Sequence, residues 1–147
     1  MFSGVFKPGK GLDQFVELAS MFRENLLFEF LVIGDGLESH LVRNYMWDNL
    51  KWVGFQNDVE KFLIAADSYV FPSLFKLEML PMALVEAINT EKKILAFDTE
   101  INRFLLNDEV FSSIEAIRDC ILSDNIPYGF KKYDEQYALL RLTDVLS

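Results

Sequence analysis

The stretch Phe28-Glu29-Phe30-Leu31-Val32-Ile33-Gly34-Asp35-Gly36 decides the fold class of this chain. A mostly apolar run that stops at Gly-Asp-Gly is typical of a buried strand followed by a tight turn. The segment before it, residues 12–22, carries apolar side chains at the spacing of one helix face, and residues 2–6 form a shorter apolar run. The chain is therefore predicted to open with a strand, a helix and a second strand.

The same alternation continues to the end of the sequence. It predicts further strands at residues 50–54, 68–72, 93–97 and 109–112, and helices at 38–47, 57–66, 81–89, 102–106, 114–122 and 134–146. Parallel strands need such crossovers, and the helices then cover both faces of the sheet. We expect an α/β fold, a doubly wound parallel sheet of about six strands, in which ligands bind at the carboxyl ends of the strands.

Composition limits the size of the protein and the classes of function open to it. The 147 residues, 51% of them hydrophobic, suit one domain over residues 1–147 with a packed core. A net charge of −9 argues against binding to nucleic acid phosphates. One cysteine and one histidine provide neither a disulfide nor a zinc site, and no apolar stretch approaches the roughly 20 residues of a membrane span. We expect a soluble, cytoplasmic protein, with peripheral contact to a membrane left open.

The loop after the first predicted strand, Lys7-Pro8-Gly9-Lys10-Gly11, has the composition of a phosphate site. Its two lysines and two glycines stand just ahead of a helix, whose first N–H groups attract anions. The alternative is a solvated turn with exposed lysines. Gly34-Asp35-Gly36 lacks the third glycine of a dinucleotide fingerprint, and His40 stands where it would fall, so a tight turn and an exposed helical histidine are favoured there.

A longer loop, residues 71–80, precedes the helix at 81–89 and brings two carboxylates near one pocket. Pro81 suits the first helical position, so Glu78 precedes the helix and Glu86 lies in its second turn. The N–H groups of Met82 and Ala83 then point toward the same space and offer an anion site. The alternative is a pair of surface glutamates that complement the helix dipole.

The order of these pieces resembles the C-terminal, donor-binding domain of retaining GT-B glycosyltransferases of the group 1 (family 4) type. Gly4 and Lys10-Gly11 match the family's opening strand and helix start, and Glu78 and Glu86 match its two glutamates separated by seven residues. Three further phrases match, at residues 32–36, 49–55 and 65–73. The resemblance covers essentially the full length and implies a Rossmann-like sheet that forms one half of a GT-B fold.

The resemblance also implies which residues bind the donor. The donor diphosphate would be bound by Lys10 and Gly4, together with the N–H groups of Met82 and Ala83. Glu86 would bind the ribose. No metal and no cofactor is implied, because the nucleotide-diphosphate sugar is itself the substrate and its phosphates meet basic side chains and helix ends.

The transferred sugar is implied to lie near Glu78, which would be the catalytic residue that orients it. Backbone groups of the loop would contact the sugar and the phosphate, and these belong to Met79, Leu80 and Pro81. The base would lie next to Gly54 and Phe55.

Departures from the family pattern bear on activity. Val5 stands where the family has arginine, which removes a bidentate phosphate donor that Lys7 could partly replace. Residues 91–93 read Glu-Lys-Lys in place of Gly-Lys-Pro, and residues 99–103 lack the family's glycines. We expect this extra acid and this loop to alter or crowd the diphosphate site.

GT-B enzymes use a cleft between two domains, so the resemblance implies that this chain lacks the N-terminal acceptor domain. That domain would be supplied in cis or in trans, and the chain alone would be incomplete as a catalyst. The leading prediction is the donor-binding half of a retaining transferase that moves a sugar from a nucleotide-diphosphate sugar to an acceptor. The alternatives are a degenerate, non-catalytic domain used for binding or assembly, and a receiver-like or nucleotide-binding α/β module.

Overall fold

The computed structural model describes residues 1–25, 27–45, 47–75 and 80–123. Strands and helices alternate along these residues. The strands are β1 (Phe2–Phe6), β2 (Phe30–Gly36), β3 (Leu50–Trp52), β4 (Ser68–Phe71) and β5 (Lys93–Ala96). The helices are α1 (Leu12–Met21), α2 (His40–Asn44), α3 (Glu60–Ala65), α4 (Met82–Asn89), α5 (Glu100–Leu106) and α6 (Ile114–Leu122).

The strands form a parallel arrangement in the order β3-β2-β1-β4-β5. Parallel ladders join β1 to β2, β2 to β3 and β4 to β5. Hydrogen bonds at Met1 place β4 beside β1, because its N donates to Ser68 O over 3.0 Å and its O accepts from Val70 N over 2.8 Å. The strand order therefore reverses between β1 and β4, where doubly wound folds open a crevice at the carboxyl ends of the strands. We call this end of the sheet the carboxyl edge.

The core lies on both faces of the sheet, because successive strand residues point to opposite sides. On one face Val32, Val70 and Leu95 pack with α1 and α6. On the other face Ile33 and Tyr69 pack with α3, α4 and α5. The prediction of an α/β fold with a doubly wound parallel sheet and helices on both faces is confirmed.

Several predicted bounds differ from the structure. Residues 109–112 contribute only a parallel bridge from Phe111 to Phe97, because the chain turns at once into α6, where Ser113 Oγ accepts from Ala116 N. The predicted helix 38–47 shrinks to α2, since Ser39 Oγ binds back to Asp35 and Gly36 before the helix starts. α3 begins three residues late, at Glu60. The predicted helix 134–146 lies outside the described residues.

Two glycines allow β1 and β2 to approach closely. Gly34 has a φ of +132°, and a Cβ there would collide with the carbonyl oxygen of Gly4 on the neighbouring strand. Gly36 has a φ of +152°, and its Cβ would lie 2.5 Å from the carbonyl oxygen of Phe6. The Gly34-Asp35-Gly36 signal therefore reflects strand contact as well as the turn that the sequence predicts.

Candidate functional site

The loops that follow β1 and β4 are bonded to each other at the carboxyl edge. Leu74 N donates to Gly9 O over 2.9 Å, and Ser73 Oγ donates to the same oxygen over 3.3 Å. Gly11, with a φ of +91°, packs so closely on Pro72 that a Cβ would lie 2.6 Å from its carbonyl carbon. The strand order makes these contacts possible, because β1 and β4 are neighbours.

Both lysines of the first loop lie over the ring of Phe75. The Nζ atoms of Lys7 and Lys10 are 4.4 Å and 4.7 Å from the ring centroid, within the range of a cation–π interaction. Both lysines are half-buried, so the alternative of a solvated turn with exposed lysines is wrong. We call Lys7, Lys10 and Phe75 the cationic end. Sequence reasoning did not single out Phe75, although an aromatic residue two positions after Ser73 was a visible signal.

Gly4 and Val5 lie in β1, ahead of this loop. Gly4 is exposed in the middle of the strand and is paired with Gly34. Val5 is 61% exposed, so the site where the family carries arginine presents an apolar side chain to the surface. Lys7 is the nearest basic residue along the chain, two positions further on.

The start of α4 leaves backbone N–H groups at the carboxyl edge. The helix begins at Met82. Pro81 was predicted to be the first helical residue, but it directly precedes the helix, and its ψ of 94° is not helical. The first helical hydrogen bonds run from Leu84 N and Val85 N to Pro81 O, each over 3.0 Å. The N–H groups of Met82 and Ala83 therefore lie in the first turn, where backbone N–H groups have no acceptor within the helix. Met82 is 57% exposed.

The loop before α4 is described only in part. Glu78 and Met79 lie outside the described residues, so the predicted catalytic carboxylate is not placed. Leu80 is half-buried and packs against the core, and Pro81 is buried. Leu80 could therefore meet a ligand through its backbone, as predicted, and not through its side chain.

Glu86 lies in the second turn of α4, as predicted, and lines a cleft of about 400 Å³ between α3 and α4. The other lining residues are Asn57, Asp58, Val59, Glu60, Leu63, Asn89 and Thr90. Three carboxylates, two amides and a hydroxyl thus border the cleft, and we call it the acidic cleft. Such groups accept and donate hydrogen bonds to sugar hydroxyls. Sequence reasoning had identified only Glu86 among them.

The residues predicted to lie beside the base precede this cleft along the chain and do not line it. Gly54 is half-buried, and its carbonyl oxygen accepts a 2.9 Å hydrogen bond from Gly34 N. Phe55 is 72% exposed. The structure therefore places Glu86 with Asn57 and Asp58, and it places Lys10 in the separate cationic end.

The turn after β2 uses its polar groups internally. Hydrogen bonds from Ser39 Oγ and from Gly36 N lower the pKa of Asp35. Burial and the nearby Asp13 carboxylate raise the pKa of Glu38, whose buried Oε2 has no hydrogen-bond partner among the described residues. His40 is exposed, as predicted, with Nδ1 3.3 Å from Leu37 O.

One expected disturbance of the diphosphate site is wrong. Glu91 lies between α4 and β5, so it stands at the opposite edge of the sheet from the loops after β1 and β4. Its φ of +55° is left-handed, which suits the glycine that the family has at this position. The residues after β5 form the start of α5, where Thr99 accepts from Asn102 N and Arg103 pairs with Asp98.

The described ranges hold neither a group of metal ligands nor a membrane-spanning helix. No three His, Cys, Asp or Glu side chains in these ranges are grouped so that they could hold a metal ion. None of the helices within the same ranges has the length and apolar character to cross a membrane.

Comparison with known sequences identifies relatives of the chain. Residues 1–123 match the profile of the family described as Glycosyl transferases group 1. A curated relative from Escherichia coli, UDP-Gal:alpha-D-GlcNAc-diphosphoundecaprenol alpha-1,3-galactosyltransferase, is 35% identical over an alignment of 111 residues, and the match covers 69% of this chain and 28% of that protein. The chain thus spans little more than a quarter of that relative's length.

Solved structures share the fold. A mutant of S. aureus TarM in complex with Fondaparinux, alpha-GlcNAc-glycerol and UDP superposes with a TM-score of 0.70 at 18% identity, over 83% of this chain and 27% of that one. The pneumococcal O-GlcNAc transferase GtfA, in complex with UDP and GlcNAc, gives 0.72 at 17% identity, over 85% of this chain and 29% of that one. With the profile match over most of the described residues, these findings show that the chain belongs to the glycosyl transferase group 1 family.

Proposed function

We propose that this chain is the donor-binding domain of a retaining glycosyltransferase, which transfers a sugar from a nucleotide-diphosphate sugar to an acceptor. The observation that carries the proposal is the division of charge around α4. The two lysines of the cationic end follow β1, its Phe75 lies on the loop before this helix, and the acidic cleft includes Glu86 in the second turn of the helix. A nucleotide-diphosphate sugar needs both kinds of group, because it carries an anionic diphosphate between two sets of hydroxyls.

Each part of the site has a role in this proposal. Lys10 and the N–H groups of Met82 and Ala83 stabilise the negative charge that develops on the diphosphate as the sugar leaves. Glu86 accepts hydrogen bonds from the ribose hydroxyls. The resemblance places Glu78 beside the transferred sugar, and that role stays a prediction.

We propose a uridine nucleotide as the donor. The name of the Escherichia coli relative specifies UDP-Gal, and TarM and GtfA were both crystallised with UDP. The acceptor side would come from an N-terminal GT-B domain in cis or in trans, since the chain spans 28% of that relative. The cytoplasmic location, the absence of an essential metal and membrane contact through the acceptor remain expectations.

Calorimetric titration of the chain with UDP, GDP and ADP tests the proposal. We expect saturable binding of UDP, weakened at least about tenfold by Lys10→Ala, because an ammonium paired with a phosphate is a strong, charge-assisted contact. Lys61→Ala is the matched control. Its Nζ also lies over a ring, 5.1 Å from the centroid of Phe62, but on α3 and away from the cationic end. Binding that is equally strong in Lys10→Ala would contradict the proposal.

A second candidate function, a non-catalytic binding or assembly domain, is favoured by one observation. Val5 leaves the arginine position of β1 apolar and 61% exposed. Failure of all three diphosphates to bind at millimolar concentration would support this candidate. Binding of one diphosphate with the expected response to Lys10→Ala would exclude it.

A further inference from the structure

We propose that Lys7 is a second cation for the donor diphosphate and that Phe75 is a positioning residue that holds Lys7 and Lys10 together. The inference rests on the proposed function, because it concerns the same donor. It adds two residues to which the resemblance assigns no contact with the donor. Phe75 acts through the lysines and is not itself a catalytic residue.

Packing fixes the ring of Phe75 against the loop that carries the lysines. A Cβ added to Gly9 would lie 3.4 Å from Phe75 Cδ2, so the ring lies close to Gly9, with about the space of a methyl group between them. Two hydrogen bonds to Gly9 O, from Leu74 N and Ser73 Oγ, hold the two loops together beside it. The loop that carries Phe75 is therefore bonded to the loop that carries the lysines, at the residue between them in sequence.

The two ammonium groups share this one ring. Lys7 Nζ and Lys10 Nζ lie 4.4 Å and 4.7 Å from its centroid. Each is attracted to the ring quadrupole, which restricts two side chains that otherwise have many rotamers. Within the described part of the chain Lys7 forms no ion pair. Its charge is thus held at the carboxyl edge, at a point where the site needs a cation.

The chemistry of a diphosphate matches this arrangement. Its charge is spread over two neighbouring phosphates, so two cations on one platform can each meet one of them. Val5 offers no charge at the arginine position of β1, and Lys7 follows it by two residues, just after the strand ends. Lys7 therefore supplies the second positive charge that the family places at the position of Val5.

Titrations of the chain with UDP and with uridine, followed by NMR so that weak binding is measured, test the inference. We expect Lys7→Gln to weaken UDP binding about tenfold and to leave uridine binding unchanged, because only UDP carries the phosphates. Phe75→Leu should weaken UDP binding about threefold to tenfold through loss of the two ring contacts, and Phe75→Tyr, which keeps the ring, should restore it. Lys61→Gln is the control for loss of a lysine over a ring elsewhere.

The outcomes separate this inference from the proposed function. If UDP binds and Lys10→Ala weakens it, while Lys7→Gln and Phe75→Leu bind UDP like the unaltered chain, the inference is wrong and the proposed function stands. Equal losses for UDP and uridine would also overturn it, because they would indicate a structural role. Absence of UDP binding by the unaltered chain overturns both. If Phe75→Leu does not fold, Lys7→Gln and Phe75→Tyr decide.

Discussion

The cationic end and the acidic cleft are built from different elements and differ in charge and in form. The cationic end consists of two half-buried lysines over one aromatic ring, held by hydrogen bonds between two loops. The acidic cleft has a volume of about 400 Å³ and is bordered by three carboxylates. One region suits a compact anion, and the other suits a ligand rich in hydroxyls.

The difference shows how a chain with a net charge of −9 can bind an anionic substrate. Long-range attraction does not favour such a ligand, so the positive charges must be local and close to the phosphates. The sheet supplies this proximity, because the strand order reverses between β1 and β4 and brings their two loops together. The acidic cleft needs no such convergence, since α3 and α4 flank it directly.

A substitution that separates the loops after β1 and β4 should have the largest effect on stability and on UDP binding. Gly11→Ala places a Cβ 2.6 Å from the carbonyl carbon of Pro72 at a φ of +91°. We expect a loss of about 2–4 kcal/mol in the free energy of unfolding, measured with urea, and loss of UDP binding with uridine binding retained.

Gly54→Ala is the matched control for this substitution. Gly54 also has a positive φ, +75°, but a Cβ there meets no atom within 4 Å. Gly54→Ala carries the backbone strain without the collision, so we expect a loss of only about 1 kcal/mol in the free energy of unfolding. The control concerns stability alone, because Gly54 is predicted to lie beside the base. Equal losses of stability in the two variants would show that contact between the loops is not what Gly11 protects.

Removing a carboxylate from the acidic cleft tests the other half of the comparison. We expect Glu86→Ala to weaken UDP and uridine binding by the same factor, about tenfold, because the ribose is common to both ligands. Lys10→Ala should weaken UDP binding alone. Glu17→Ala, which removes an exposed carboxylate of α1, is the control. If Glu86→Ala weakened the binding of UDP but not that of uridine, Glu86 would act on the phosphates. The cationic end and the acidic cleft would then not bind different parts of the ligand.

Glu91 follows Thr90 of the acidic cleft, but it stands at the opposite edge of the sheet from the cationic end and should contribute little to donor binding. Glu91 adopts a φ of +55°, so Glu91→Gly relieves a left-handed conformation. We expect a gain of up to about 1 kcal/mol in the free energy of unfolding, with UDP affinity unchanged. A change in affinity greater than about twofold would mean that this edge communicates with the donor site, as the sequence comparison first suggested.

Sequence patterns predicted the elements whose stabilising contacts are regular. β1 and α6 have the predicted bounds because residues 2–6 form a short apolar run and residues 114–122 carry apolar side chains at helical spacing. The bounds of α2 and α3 were wrong because local hydrogen bonds at Ser39 and the irregular segment before Glu60 delay the helices. Lys10 and Glu86 could be identified from motifs, and the structure adds their surroundings.

The remaining parts of the site depend on strand order, which a single sequence does not specify. Phe75 meets Lys7 only because β4 lies beside β1, although the two residues are far apart along the chain. Asn57 and Asp58 join Glu86 because α3 packs beside α4. The same topology places Glu91 at the opposite edge of the sheet from the loops after β1 and β4. The prediction that Glu91 disturbs the diphosphate site was wrong because the sequence alone did not assign this residue to an edge of the sheet.

The smallest expected effect concerns Glu38, whose backbone is bonded to Phe6, the last residue of β1. Its N donates to Phe6 O over 3.1 Å, and burial together with Asp13 raises the pKa of its side chain. A carboxyl whose pKa is higher in the folded state destabilises the fold once it ionises. Stability should therefore fall as the pH rises from the ordinary glutamate pKa through the raised one, and this penalty is absent at lower pH.

Glu38→Gln removes the ionisation and should flatten this part of the pH profile. We expect the free energy of unfolding of the variant, relative to the unaltered chain, to rise by less than about 1 kcal/mol between pH 4 and pH 7, because the group is partly exposed and water screens it. Urea unfolding at several pH values measures the difference. Glu17→Gln, on the exposed face of α1, should show no such rise. A difference that shrinks toward neutral pH would mean that the ionised Glu38 carboxylate stabilises the fold, and it would contradict the expected penalty for its burial.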